Sequence, residues 1–528
     1  MRRLLVVALV PVLGTWLSVS AEDAKRGADL EKAVVRLAER ATPRTAIVYG
    51  AIGLGSGAVV DADGTTVTNA HVGLLARVAL LEFADGRKVK ARRRGMDLER
   101  DLAIYEPIEE LGGPVPFFEL GEGRPAAGTW LVAVGYPGGP RGDLRPTVSL
   151  GQAVDGGGLK GPVMGVLRYD DAVRTDIAIF SGNSGGPLLS VETGKLLGIN
   201  GAMEIGTGAA FAVPVDVVKD RLETLKGGAI RLPGGRVLGG RSALARALDR
   251  ALEPAIERLV ERVHDGFAPD GGARVPLPKV ATGDELARRL RETPREKALG
   301  EQLRSVKDLA VLLDDKHLAT RVDRKHLVAK ASFLEDRREW RVGAHGRARV
   351  VETDATNDLA LLELVEEADV KLPEDASSRP AGSLCAAVGP DGLLASGIVS
   401  VGAREIPEAV SARIAGGGTA AQLIQLLRRF EGISSSLKDA FEPIIQQLEA
   451  QEALNSGNEP RGYAHVLSHD APLAPSEAGA PLVDLDGRLI GVNVSNANYG
   501  TSYAVPIATI RQTFHLAAHE RAHKGKLY

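Results

Sequence analysis

Short runs of apolar and β-branched residues, broken by Gly, Asp and Pro turns, dominate the pattern and predict a mainly β chain. Ser56–Asp61 and Thr65–Thr68, joined by Asp61-Ala62-Asp63-Gly64, read as a hairpin that leads to His71. Asp101 opens a further strand, Leu102-Ala103-Ile104-Tyr105, whereas Asp97 and Glu99 lie in the charged run Arg92–Arg100 and read as solvated surface. The period changes in two places. Leu244, Leu248, Leu252, Ile256, Leu259 and Val263 recur at helical spacing, with Pro254 to start or kink the helix, and predict a helical connector over 229–300. Leu423, Leu426, Leu427 and Phe430, then Leu437, Phe441, Ile444, Ile445 and Leu448, predict amphipathic helices within an insertion at 405–455.

The strand signals of the first half recur in the second. Asn357-Asp358-Leu359-Ala360 repeats the Asp101 strand, and Ala387-Val388-Gly389-Pro390 repeats Ala133–Tyr136. Asp470 to Leu482 runs in register with Asp176 to Leu188 without a gap; Gly487–Asn493 then resembles Gly194–Asn200, and Tyr503–Pro506 resembles Phe211–Pro214. With 528 residues the chain is long enough for two or three domains, each with its own core.

Charge and cysteine usage narrow the class. A net charge of −3 gives no reason to expect nucleic acid, and Arg92-Arg93-Arg94 is offset by acids around it. The one cysteine, Cys385, excludes an intramolecular disulfide and sits in the apolar run Leu384–Val388, as a buried strand thiol would. Arg2-Arg3, the apolar run Leu4–Leu17 and Val19-Ser20-Ala21 read as a secretory signal cleaved after Ala21. A periplasmic or secreted product without a stable membrane span is therefore expected.

Candidate chemistry centres on Gly182-Asn183-Ser184-Gly185-Gly186-Pro187. A serine hydroxyl attacks a carbonyl only when a base takes its proton and nearby N–H groups hold the developing oxyanion. Glycines beside Ser184 free the backbone so that the N–H groups of Gly182 and Ser184 can converge on one point. His71 is the one histidine before His264 and so the local candidate for the base. Asp101 is the best candidate for the carboxylate that orients the imidazole. A Gly-rich turn with an incidental serine is the bland alternative, and the ordered partners His71 and Asp101 weigh against it.

Gly55-Ser56-Gly57, Thr68–Val72, Asp101-Leu102-Ala103, Val134–Pro137 and Thr175-Asp176 leading to Gly182–Pro187 together resemble trypsin-like peptidases of the bacterial HtrA (Deg) type over about 46–228. The resemblance implies a pair of packed six-stranded β-barrels with His71 as base, Asp101 as its orienter and Ser184 as nucleophile. It also implies an oxyanion hole from the Gly182 and Ser184 N–H groups, and a substrate pocket at Ala178, Ile199, Asn200 and Gly201. With no acid at Ala178 and apolar Ile177, Ile179 and Phe180 beside it, the pocket suits small or medium aliphatic side chains. The expected substrates are unfolded or misfolded proteins; no cofactor is expected, and the oligomeric state stays open.

The recurrence then implies a second trypsin-like fold, so the whole reads as two trypsin-like double β-barrel domains in tandem, with helical connector and helical insertion. The expected layout is a signal at 1–21, a helical segment at 22–45, a protease domain at 46–228, the connector at 229–300, a degenerate domain at 301–516 and a tail at 517–528. The register that superposes Pro481 on Pro187 places Ala478 at the nucleophile, and Leu327–Ser332 sets Ser332 opposite the base, leaving Asp358 alone of the triad. Ser476 and His469 are poor substitutes, because a triad works by geometry. A binding scaffold of two inert protease folds is the competing class. A zinc peptidase is a third, raised by His519-Glu520-Arg521-Ala522-His523; Lys524–Tyr528 supply no further ligand and His515 extends the series as a stripe, so no metal site is expected.

Overall fold

The computed structural model describes residues 21–50, 54–73, 76–137, 144–155, 157–163, 167–177, 179, 182–203, 209–231, 234, 237–238, 303–334, 337–343, 346–376, 378–406, 463–498 and 501–517. Residues 1–20 of the signal segment, most of the connector with its Leu244–Val263 stripe, 407–455 of the insertion expected to be helical, and His519, Glu520 and His523 lie outside the described residues, while 405–406 of that insertion are strand.

Alternating and fully apolar runs become strands, as their side chains fit a pleated, half-buried or buried surface. Six of them, β1 (Thr45–Tyr49), β2 (Leu54–Val59), β3 (Thr66–Thr68), β4 (Val78–Phe83), β5 (Lys88–Asp97) and β6 (Leu102–Pro107), close into a barrel in the order β1-β2-β3-β6-β5-β4. The turn Asp61–Gly64 between β2 and β3 is held by the Asp61 carboxylate, which accepts from the Asp63 and Thr65 N–H groups.

A second set follows: β7 (Trp130–Gly135) and β8 (Thr147–Gln152), a hairpin of β9 (Leu159–Val163) and β10 (Leu167–Tyr169), then β11 (Val173–Thr175), β12 (Pro187–Ser190), β13 (Leu196–Met203) and β14 (Ala210–Pro214). Six of these form a sheet ordered β11-β14-β13-β12-β7-β8. Its end strands meet at the bridge Ala153–Thr175 and at the Gln152 N–H, which donates to Asp176 Oδ1 at 2.6 Å. Further along β8, the Leu150 N–H donates across to Asp470 Oδ2 of the second half at 2.9 Å.

Helix α2 (Val215–Lys226) follows β14, and two short strands, β15 (Ile230–Arg231) and β16 (Val237–Leu238), extend the first barrel beside β5. The segment expected to be helical from 229 thus begins as strand. Its placement has a cause: Arg231 reaches the buried Asp97 at 3.3 Å, and the Met96 N–H donates to Ala229 at 3.0 Å.

The second half repeats the plan. β17 (Ala310–Leu313), β18 (His317–Arg321), β19 (His326–Lys330), helix α3 (Ala331–Leu334), β20 (Glu339–Val342), β21 (Gly346–Asp354) and β22 (Leu359–Leu364) give a closed six-stranded barrel. β23 (Leu384–Gly389), β24 (Gly392–Ile406), β25 (Tyr463–His469), β26 (Pro481–Val483), β27 (Leu489–Asn498) and β28 (Thr501–Pro506) give another, followed by helix α4 (Ile507–Thr513). The protein is mainly β, two trypsin-like double barrels in tandem. The Cys385 thiol is buried in β23 and takes part in no disulfide.

An N-terminal helix, α1 (Ala21–Ala41), ties the halves together. Its Val34, Leu37, Ala38 and Ala41 lie in one apolar core with Val132, Val134, Val148 and Leu150 of the first half and Leu384 and Ile398 of the second. At its outer side Glu31 lies 3.8 Å from Arg379; burial is the largest influence on that carboxyl and raises its pKa.

Candidate active site

Each candidate catalytic side chain sits where a strand ends. His71 follows β3, Asp101 precedes β6, and Ser184 lies in the turn before β12. Asp101 has φ of 54°, a left-handed conformation costly for most residues with a β-carbon but tolerated by aspartate. That turn points its carboxylate back at His71: the His71 N–H donates to Oδ1 at 2.9 Å and Nδ1 meets Oδ2 at 2.8 Å. The Asn69 amide donates to the Asp101 carbonyl at 3.0 Å and fixes the turn from behind. Asp101 is fully buried while the His71 side chain is 23% exposed, so the imidazole has one face on an acid and another open.

The serine turn is locked to the first barrel. Ser56 N–H donates to the Ser184 carbonyl at 2.7 Å, and Ser56 Oγ to the Gly182 carbonyl at 2.6 Å. Gly185 has φ of 85°, and a β-carbon there would lie 2.1 Å from the Ser56 carbonyl oxygen, so only glycine fits this crossing. Among the described residues no hydrogen bond joins Ser184 to His71; Ser184 Oγ donates instead to the Gly201 carbonyl at 3.2 Å. No acceptor for the Ser184 or Gly182 N–H is found among the described residues, whereas the Gly185 N–H is taken by the Asn200 carbonyl at 2.8 Å.

Of the residues expected to line the pocket, Ile199, Asn200 and Gly201 lie on β13 behind Ser184, and Asn200 is fixed by donating to the Pro187 carbonyl at 3.1 Å. Ala178 and Phe180 lie outside the described residues; their neighbours Ile177 and Ile179 are buried.

Two residues were misjudged or missed from the sequence. Asp97 is buried, not surface: Arg221 at 3.0 Å and Arg231 at 3.3 Å flank it, and it accepts the Arg100 N–H at 2.9 Å. A charged run does not reveal which of its members will be covered by a later helix. Tyr169, at the end of β10, is wholly buried and donates its hydroxyl to Asp101 Oδ2, the oxygen that also meets His71. The one signal for it in the sequence is Tyr463, which stands at the same offset ahead of Asp470 as Tyr169 does ahead of Asp176.

The second half keeps this geometry with other side chains. Asp358 also has φ of 54°, and it accepts the Ser332 N–H at 2.8 Å and Ser332 Oγ at 2.7 Å, the two positions His71 fills on Asp101. Lys330 lies 3.6 Å from Asp358 and donates to the Val494 carbonyl at 2.7 Å. Gly479 has φ of 100° and donates to Asn493 at 2.7 Å, as Gly185 does to Asn200, but Ala478 carries no nucleophile and its N–H turns back to Pro475 at 3.4 Å. Ser476 lies in a 3₁₀ turn, Pro475–Glu477. His469 is buried against Asn493 at 2.7 Å, and burial pushes its pKa down to about 4. Among the described residues no three His, Cys, Asp or Glu side chains gather as a metal ion would need.

Residues 55–199, in the first half, match the family model for the trypsin-like peptidase domain. The particular likeness is to the HtrA type. HhoA of Synechocystis sp., named as a serine protease, is 38% identical over 179 residues, covering 33% of this chain and 44% of HhoA. A Rickettsia conorii protein named as a periplasmic serine endoprotease, DegP-like, is 34% identical over 178 residues, covering 33% of this chain and 34% of its own. Among solved structures, the HtrA-type protease AlgW with tripeptide is 30% identical, covering 37% of this chain and 63% of AlgW, with a TM-score of 0.32. The match therefore spans less than half the length of these two curated relatives.

Proposed function

We propose that this chain is a periplasmic or secreted serine endopeptidase that cleaves unfolded proteins through Ser184, His71 and Asp101, with a second double barrel that has lost its chemistry. The single observation that carries the reading is the doubly held Asp101–His71 pair, with Nδ1 at 2.8 Å from Oδ2. That contact fixes the tautomer that leaves Nε2 free to take the Ser184 proton and stabilises the imidazolium once formed. The N–H groups of Gly182 and Ser184 would receive the oxyanion. The apolar surroundings Ile177 and Ile179 support a pocket for small or medium aliphatic side chains. The names of the relatives support the periplasmic setting and the protein substrates.

On this reading the two halves arose by duplication, and the second is a pseudoprotease that presents substrates to the first or regulates it. Ser332 and Ala478 at the base and nucleophile positions support the loss of chemistry there. The first test compares residues 22–528 with the Ser184→Ala variant on unfolded casein and on a peptide library. Cleavage after aliphatic residues that the variant loses by at least about 10³-fold is expected. Equal activity in the variant, or chelator-sensitive cleavage, would overturn the reading. A folded parent with no activity would favour the scaffold class, and strict cleavage after Lys or Arg would sink the pocket assignment.

A further inference from the structure

We infer that Tyr169 is a positioning residue for the triad: its hydroxyl holds the Asp101 carboxylate in the orientation that meets His71. The inference deepens the endopeptidase reading of the same site. Three donors converge on one buried carboxylate: the His71 N–H on Oδ1, and His71 Nδ1 and the Tyr169 hydroxyl on Oδ2. A carboxylate offers lone pairs for all three, and donors to a charged acceptor form the stronger class of hydrogen bond. With Oδ1 tied to backbone and Oδ2 to a phenol, the carboxylate has no rotation left by which it could swing away from the imidazole.

The tyrosine is itself rigidly placed. Its oxygen rides on a ring, so packing alone sets its position, unlike the freely turning hydroxyl of serine. The ring lies in the space that a side chain on Gly201 would take: a β-carbon there would be 2.3 Å from the Tyr169 oxygen and within 2.8 Å of two ring carbons. Gly201 carries the carbonyl to which Ser184 Oγ donates. One phenol therefore touches both the acid of the triad and the strand that borders the nucleophile, completing a continuous path His71–Asp101–Tyr169–Gly201–Ser184. Burial, and then the neighbouring Asp101 charge, push the hydroxyl's pKa well above its ordinary value, so it keeps the proton it donates.

The test is Tyr169→Phe in the full chain, which keeps the ring and removes one oxygen. Two readouts are taken: kcat and KM on a chromogenic peptide, and the low-field proton resonance of His71 Nδ1–H, assigned by its loss in His71→Gln. A hydroxyl that positions Asp101 gives a kcat lower by about tenfold, with KM held within about twofold. It also gives a displaced Nδ1 proton. A hydroxyl that merely fills space leaves kcat and the proton unchanged, and that result overturns the inference. Should the parent fail to hydrolyse any peptide, the endopeptidase reading falls on its own. The proton resonance still decides the role of Tyr169, supporting it if displaced in the variant and refuting it if identical.

Discussion

His469 is a buried imidazole whose surroundings resist protonation. Asn493 donates its amide to the Ala480 carbonyl at 2.9 Å, so its oxygen faces His469 and must accept from Nε2–H. Nδ1 is then the bare nitrogen, buried and without a hydrogen-bond partner among the described residues, and a proton placed there would be a charge without an acceptor among them. Burial accordingly lowers the pKa from 6.5 to about 4. Between those values the unfolded chain binds the proton and the folded one does not, so this residue's contribution to stability is full above about pH 6.5 and is lost as pH falls towards 4. At about 1.4 kcal/mol per unit this amounts to about 3 kcal/mol. Urea unfolding from pH 7 to pH 4 should show that slope, and His469→Gln should flatten it; an unchanged slope in the variant would place the acid sensitivity elsewhere. The pairing of His71 with Asp101 was legible at this scale because both stand at strand ends with small or polar neighbours. Tyr169 was not, since nothing in Leu167-Arg168-Tyr169-Asp170 says that the ring will turn inward upon an acid four strands earlier, in the first barrel.

Among the elements, β13 is the one that borders both Ser184 and Tyr169. It pairs with β12 and β14, carries Asn200 and Gly201, and lies against the Tyr169 ring at the end of β10. Gly201→Ala would force either the strand or the ring aside. The expected outcome is a fall in kcat/KM of at least about tenfold with only a modest drop in melting temperature, since the displaced contacts are few but lie at the chemistry. A variant with full activity would mean that the ring can move without disturbing Asp101. The strands themselves were readable because β-branched runs bounded by turns leave little alternative, as in Ser56–Thr68. The start of the connector was not: Ile230–Arg231 forms a strand because Arg231 finds the buried Asp97 and the backbone finds Met96, a tertiary pull that local periodicity does not carry.

For the molecule as a whole, the decisive contact is Asp470. Its Oδ1 accepts the Ile398 N–H at 2.5 Å within the second half, and its Oδ2 accepts the Leu150 N–H of the first. Asp470→Ala would strip two buried donors of their acceptor, at a cost of about 2–5 kcal/mol. The two halves should then melt in separate steps in calorimetry where the parent melts in one. A single unchanged transition would show that the core shared through α1 suffices. The repeated plan was visible in the register of Asp470–Leu482 on Asp176–Leu188, but the way the copies lean on each other was not, because Asp176 accepts from Gln152 of its own half whereas Asp470 accepts both from its own half and from its sibling.

That asymmetry bears on inheritance. In the second half the corresponding strands, β24 and β25, pair along their length and complete their own barrel, whereas β8 of the first half borrows an acceptor from its neighbour beyond the Ala153–Thr175 bridge. A chain cut back to the first half would keep His71, Asp101 and Ser184 yet bare a strand edge, the kind of surface that recruits other chains and precipitates. On the proposed reading, the second half is retained for what it covers rather than for anything it cuts.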